Sequence, residues 1–416
     1  MYRAFMRPLP ALLVALLLAA APVAGIGTPM VQSDAGTSYS VTVVENTTNQ
    51  LSIPEEDVDQ STYSDAGIDI GTTVETGSTQ LHHRHDALAF EERFRQADSR
   101  AARSRLVGDQ LATVESEYAQ LDSQQDTAIA EFVAGETTAA EFLRTRMVVN
   151  AEATELLSTL NTVSSAPDTT TDYSLSQSQT DRLRTVEGDL QTLNGPVGDR
   201  LQADATSAES QTMVYLEASD SAYMLATVTD DEYVRETRLD DERNATLPDQ
   251  FLAAAENDSE TDRFDAADER ASELYTWLYD RQRPSFTYYG SSGIYEFTAI
   301  HPNGELTSYI DAGTTDVFFE AQTRELGGID DTTSETSVND TLRVSLRRST
   351  STGPMLVSAT NNETGATVNA TVTIDGHEVG STGSDGVLWT VEPSGDYTVN
   401  ATTSDNRTTV SVADGS

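Results

Sequence analysis

The chain contains no cysteine and no lysine. The first absence excludes disulfides, thiolate metal sites, a lipid-modified cysteine and a cysteine nucleophile, so folding rests on packing alone. The second excludes a P-loop and Schiff-base chemistry, and it makes every one of the 25 basic residues an arginine. Apolar residues make up 37%, which allows a core in each domain but a lean one. No Gly-X-Ser-X-Gly elbow follows a strand pattern, and no glycine-rich phosphate loop is present. These gaps point away from the common enzyme chemistries, and the sequence calls for no cofactor.

What the chain has instead is acid. Asp and Glu number 68, and the formal net charge is −43. Such a surface repels phosphate backbones and anionic membranes, which excludes a nucleic-acid partner. The apolar residues keep a clear periodicity, so the composition reads as a folded chain adapted to a solvent of high ionic strength. At 1 M salt the Debye length is about 3 Å, and dense carboxylates no longer repel one another across a surface. The expectation is a halophilic protein.

Residues 1–25 read as a secretory signal, with an uncleaved membrane anchor as the second reading: Arg3 and Arg7, an apolar run from Leu9 to Ala21, then Ala24 and Gly25. No later run reaches the roughly 20 apolar residues that span a bilayer. The expected location is extracellular or on the cell surface. Asn-X-Ser/Thr sequons begin at Asn46, Asn244, Asn257, Asn339, Asn362, Asn369, Asn400 and Asn406. Most lie in the last quarter of the chain, which suggests a glycan-bearing outer module.

The expected fold is multidomain: an N-terminal helical hairpin or coiled-coil bundle, a central α+β domain and a C-terminal β-sandwich. Residues 26–80 read as an extended segment with short strands. Residues 81–196 read as a helical hairpin or three-helix region. Leu111, Val114, Tyr118, Leu121, Gln125, Ala128 and Phe132 recur at heptad spacing. Thr138 with Glu141 forms a capping box opening the return helix. The pattern of a helix followed by three strands appears twice within 197–326, so tandem units are expected there. Residues 327–340 read as a linker, and evenly spaced short strands over 341–416 read as a sandwich.

The C-terminal strands carry Ala370-Thr-Val-Thr-Ile-Asp-Gly, then Gly380-Ser-Thr-Gly-Ser-Asp-Gly-Val-Leu-Trp and Pro393-Ser-Gly-Asp-Tyr-Thr-Val. This module resembles the immunoglobulin-like and carboxypeptidase-regulatory-like sandwiches of exported proteins, and the resemblance implies a stalk or display platform. The segment from Ile294 to Val317, with its Pro302-Asn303-Gly304 turn, is similar to the strand–hairpin–strand core of PepSY domains. That resemblance implies regulation or inhibition of an exported protease. The segment departs from that pattern at Gly313-Thr-Thr-Asp316, where a Thr-Gly turn is usual. Taken whole, the chain resembles a family of exported haloarchaeal proteins of unassigned function.

The chemical cluster that stands out is His82-His83-Arg84-His85-Asp86. On a helix, His82, His85 and Asp86 lie within reach of a shared metal. A polar, solvated helix entry is the plainer reading. His301 and His377 sit at turns, and the acid pairs Asp230-Asp231, Asp240-Asp241 and Asp330-Asp331 follow from salt adaptation alone. Trp277 and Trp389 occupy core-facing positions. The leading expectation is a non-enzymatic surface binding or scaffold protein with an unknown protein partner, a component of the cell envelope or an exported protease. A protease regulator is the second reading, and a hydrolase with an unfamiliar site is the third.

Overall fold

The computed structural model describes residues 41–44, 47–67, 70–205, 212–229, 231–255, 260–281, 283–328, 333–339, 341–404 and 407–412. Residues 1–25, where a secretory signal is expected, lie outside them. The chain opens with a minimal ribbon, β1 (Val41–Thr42) paired with β2 (Gln50–Leu51), followed by β3 (Gln60–Ser64). Five helices come next: α1 (Ile70–Gln96), α2 (Arg100–Val133), α3 (Ala139–Ser165), α4 (Gln177–Gln191) and α5 (Pro196–Ala205). Strands β4 (Val214–Ser219), β5 (Ala222–Thr229) and β6 (Glu232–Leu239) form a meander. Three short helical pieces follow it: α6 (Gln250–Ala254), α7 (Glu260–Leu274) and α8 (Thr276–Tyr279). A second meander contains β7 (Ser285–Tyr288), β8 (Ile294–His301), β9 (Gly304–Asp311) and β10 (Val317–Glu325).

The two meanders join as one antiparallel sheet of eight strands, ordered β3-β4-β5-β6-β10-β9-β8-β7. The tandem expectation is therefore half right. Each meander has four strands, not three. The fourth strand of the first, β3, comes from before the helices, where residues 26–80 had read as an extended segment. That boundary also shifts because α1 begins at Ile70, inside the expected extended stretch. Its first turns, Ile-Gly-Thr-Thr-Val-Glu-Thr-Gly, are rich in β-branched residues and glycine, which have low helix propensity.

The helices obey their local signals. Gly135 takes a left-handed φ of 71° and ends the α2 turn. Thr138 and Glu141 cap α3 reciprocally, and Ser176 with Gln179 does the same for α4. The apparent helix through residues 86–132 breaks at Ser99, whose side chain accepts from the Ala102 amide and starts α2 afresh.

The heptad residues of α2 are buried, Tyr118 only in part, but no isolated two-helix coil results. Val107, Leu111, Val114 and Leu121 cluster with Val149, Leu156 and Leu160 of α3 and with Leu183, Val186 and Leu190 of α4. Further along the same helix, Ala128, Ile129 and Phe132 share a core with Val214, Leu216, Leu225 and Val234 of the sheet. The helical region and the α+β region thus form one structural unit rather than neighbouring domains.

The opposite sheet face carries Tyr215, Met224, Tyr233, Phe297 and Leu306, covered by α7, α8 and the Leu51–Ile53 segment. That apolar cluster runs on into the C-terminal sandwich. One sandwich sheet is β11 (Thr333–Val338), β12 (Leu342–Arg348), β13 (Pro354–Asn361) and β16 (Val387–Val391). The other is β15 (His377–Ser381), β14 (Thr371–Ile374), β17 (Tyr397–Thr402) and β18 (Arg407–Val412). The expected linker over 327–340 is corrected here. Thr333–Val338 form an edge strand in register with β12, Thr333 facing Arg348 and Val338 facing Arg343. Its Thr/Ser-rich composition looks like a linker because an edge strand packs little of its surface.

Candidate binding surface

The centre of the molecule is unusually ionic. In β6, Arg235, Glu236, Thr237 and Arg238 are all buried. Side chains alternate across a strand, so Glu236 and Arg238 face the helices while Arg235 faces the other layer. Glu236 meets Arg146 of α3 at 3.1 Å, both side chains 0% exposed. Arg238 reaches Asp122 of α2 and Asp240, at 3.3 Å and 2.6 Å. Arg243 pairs with Asp189, with its guanidinium over the Phe318 ring. On the opposite face Arg235 lies 3.5 Å from Glu320, which also accepts from Tyr275, Gln322 and the Leu51 amide. Each ion therefore serves as cross-layer structure. Sequence reading missed this network. The available signal was Val-Arg-Glu-Thr-Arg-Leu at 234–239, three charges inside a strand flanked on both sides by apolar strands.

The surface feature that stands apart is on α1. Phe90 and Phe94 are buried at 1% exposure and anchor its C-terminal half to the bundle. Three other large apolar residues of the helix do not gather on that inner side. Val74, Leu81 and Leu88 are 64%, 72% and 60% exposed. They are spaced by seven, so they form one row along two-turn steps of the helix. The row borders an open groove of about 500 Å³ between α1 and α3, lined by Leu81, Arg84, Leu88, Glu91, Glu155 and Thr159. Between Ile70 and Phe90 the only acids are Glu75 and Asp86, in a chain that carries 68. The helix thus offers an apolar row on a charge-poor strip of an acidic protein.

The histidine cluster lies on this same helix. His82 Nε2 is 3.3 Å from one Asp86 carboxylate oxygen and His85 Nδ1 is 3.2 Å from the other. All three side chains are well exposed, and each histidine uses its near nitrogen on the carboxylate. Among the described residues no group of three His, Asp or Glu side chains is arranged to hold a metal. His82, His85 and Asp86 are brought together at the surface, with His85 hydrogen-bonded to Asp86 and His82 beside its other oxygen.

His301 ends β8, and its Nδ1 accepts from the Asn303 amide at 3.2 Å. His377 opens β15, its Nε2 3.4 Å from the Thr62 hydroxyl. Trp277 is half-buried, with Arg281 stacked 3.8 Å from its ring. Trp389 is also half-buried and lines a groove of about 290 Å³ between sandwich and sheet, so both tryptophans are less enclosed than their positions implied.

Of the sequons, Asn46, Asn257 and Asn406 lie outside the described residues. Asn244 and Asn369 are exposed, and Asn362 is half-buried. Asn339 is tied down: its Oδ1 accepts from the Thr341 and Leu342 amides and its Nδ2 donates to the Arg407 carbonyl. Asn400 is a correction. It is only 7% exposed and its Oδ1 accepts from Arg407 and Thr409, so the fold leaves no surface there for a glycan.

Comparison with known families divides the chain in three. Residues 6–211 match a domain of unknown function, DUF7096, and residues 214–330 match a family of unknown function, DUF7094. Residues 333–410 match an archaeal fibronectin-III type-like domain, a β-sandwich class in keeping with the two packed sheets. That last match begins at the first residue of β11, which supports placing Thr333–Val338 inside the sandwich. Neither a curated relative nor a solved structure matches the chain.

Proposed function

We propose that the protein is a non-enzymatic, exported binding or scaffold protein of a high-salt cell surface, and that α1 is its docking face. The observation that carries this reading is the exposed row Val74, Leu81 and Leu88 on a helix whose other end is anchored in the core. Seven-residue spacing fits a partner helix presenting its own apolar row, packed as in a short coiled-coil seam. The fibronectin-III type-like domain supports a display arrangement, with the sandwich serving as the stalk. The acidic composition supports a saline compartment, and the N-terminal apolar run supports export.

Regulation of an exported protease is the second reading. One observation favours it: the two meanders pair into a single sheet with α7 and α8 laid across it, the layering that a PepSY-like regulator needs. The two readings differ in the identity of the partner.

The test pairs Leu81→Asp and Leu88→Asp with affinity capture from native envelopes in molar salt. Both positions are exposed, so the melting curve is expected to move by no more than about 0.5 kcal/mol. Loss of a central apolar anchor is expected to weaken partner binding by about 30-fold or more. An envelope protein captured by the wild type and lost from both variants supports the scaffold, and a protease lost in the same way supports regulation. Equal capture by wild type and variants would remove α1 as the docking face.

A further inference from the structure

The outward strip of α1 is centred on Leu88, and its two halves carry opposite characters. Leu81 and Leu88 are 72% and 60% exposed, and Arg84, His85, Glu91 and Glu92 are exposed beside them. These positions recur at three- and four-residue steps, so they lie on one side of the helix. Positions equidistant from Leu88 complement each other. Arg84 lies as far before it as Glu92 lies after it, and His85 as far before it as Glu91 after it. Leu81 is matched in the same way by Arg95, which is exposed and meets Glu92 of its own helix.

The side of α1 turned to the bundle is the less apolar one. Gln80, His83 and Ala87 step down to Phe90 at three- and four-residue spacing, and all three are half-buried. The helix packs there chiefly on α3. Above Phe90 it therefore keeps its leucines outside and its polar residues inside. Covering the leucines removes apolar surface from water, which is favourable in proportion to the area covered. The open groove along the α3 flank of Leu81 and Leu88 leaves room for the side chains of a second helix.

Charge decides which helix fits. A chain of net charge −43 repels its own copies wherever carboxylates meet carboxylates. In a two-fold contact each residue meets the mirror position on the other copy. For two antiparallel α1 helices with the dyad at Leu88, Leu88 meets the second copy's Leu88. Arg84 then faces the second copy's Glu92, and Glu92 faces its Arg84. His85 faces the second copy's Glu91, a donor against an acceptor, and Leu81 lies along the aliphatic stem of its Arg95. No carboxylate faces a carboxylate along this strip. A parallel pair in register sets Glu91 against Glu91, Glu92 against Glu92 and Arg84 against Arg84.

We propose that the α1 face takes a second copy of this chain, as an antiparallel helix pair with its dyad at Leu88. The proposal rests on reading α1 as a docking face and names the partner that occupies it. The contact is one helix wide, so the dimer is dissociable rather than obligate. The ion pairs are in direct contact and persist in molar salt, where the Debye length is about 3 Å.

Sedimentation equilibrium of the full chain in molar KCl, over a wide range of concentration, should show monomer and dimer in exchange. Leu88→Asp should abolish the dimer and leave the melting curve in place. Arg84→Glu and Glu92→Arg should each weaken dimerisation severalfold, because each homodimer then carries two like-charged contacts. An equimolar mixture of these two variants should dimerise as the wild type does, since both contacts of the mixed pair are again of opposite sign. The chain has no cysteine, so Leu88→Cys sets a lone thiol on the dyad and should cross-link on mild oxidation. Val74→Cys, about 21 Å along the helix from the dyad, should not. A monomer at every concentration, a mixture no better than either charge variant alone, or cross-linking through Val74→Cys would overturn the proposal. If the protein is monomeric and Leu88→Asp still loses an envelope protein, the face belongs to a foreign partner. Unchanged capture by Leu88→Asp removes the docking face itself.

Discussion

Arg146→Met is expected to destabilise the folded chain by about 3–5 kcal/mol, because it leaves Glu236 charged and alone between the helical layer and the sheet. The Arg146 guanidinium lies over Tyr223 at 4.9 Å from the ring centre and donates to Gln125 as well as to Glu236. The other Glu236 oxygen accepts from the Val197 and Gly198 amides, at 3.0 Å and 3.4 Å, where α5 begins. Backbone crowding shows how closely this corner is built. A Cβ on Gly195 would lie 2.0 Å from Glu236 Oε2, and one on Gly198 would lie 2.6 Å from the Asn150 side chain. One carboxylate thus ties α3, α5 and the central strand together. Replacing both partners, as Arg146→Met with Glu236→Leu, removes the stranded charge, and most of the loss should be recovered even though the α5 amides lose their acceptor. Denaturant titration in molar salt measures both. A single variant within about 1 kcal/mol of wild type would show that the ion pair is incidental to the fold.

Dialysis from several molar KCl into dilute buffer at pH 7 is expected to abolish cooperative structure altogether. The cause is the net charge of −43. Near 0.01 M salt the Debye length is about 30 Å, comparable to the whole sheet, so carboxylates repel one another across the molecule. Net stability of a domain is about 5–15 kcal/mol, within reach of such distributed repulsion. Acid should act in the opposite direction. Burial raises the carboxyl pKa of Glu117, Asp126, Glu187 and Glu217 above the ordinary value. The folded state therefore binds protons more readily than the unfolded chain does. The stabilisation from these groups is fully present below about pH 4 and is lost as pH rises through their folded-state values. At low salt, structure should return in part as pH falls from 7 towards 4. Circular dichroism during dialysis and acid titration reads both effects, and a full cooperative melt in dilute neutral buffer would sink the halophilic account of the composition.

The parts of the fold legible in the sequence were those whose partners lie nearby. The Thr138–Glu141 box, the Gly135 stop and the heptad residues of α2 all act over one or two turns, and they stand where the pattern put them. Most of the β-sandwich strands were likewise readable from alternation and turn residues, although His377–Ser381 reads as a turn and is β15. Long-range pairing was not. Nothing local in Gln60–Ser64 shows that it completes a sheet with residues 214–218, and Thr333–Val338 resembles a linker until β12 is beside it. For the candidate surface, the sequence drew attention to His82, His85 and Asp86 through their chemistry. It gave no hint that Val74, Leu81 and Leu88 on the same helix face solvent, since apolar residues at heptad spacing usually mark a buried seam.

The position of β3 bears on how the chain divides into modules. Ser64 and Val214 are paired neighbours, so the chain leaves the sheet edge, builds five helices and returns to the same place. The helical layer is an excursion from a continuous β-meander, and a short turn could in principle bridge its two ends. The family boundary between residues 211 and 214 falls within that excursion's return and separates β3 from the strand it pairs with. A fragment cut at this boundary would carry β4 as a bare edge, with unpaired amides and carbonyls open to a neighbouring molecule. The second module is therefore self-sufficient in its sequence family but borrows an edge from the first in space. Expressing it alone invites strand exchange unless residues 60–64 are supplied with it.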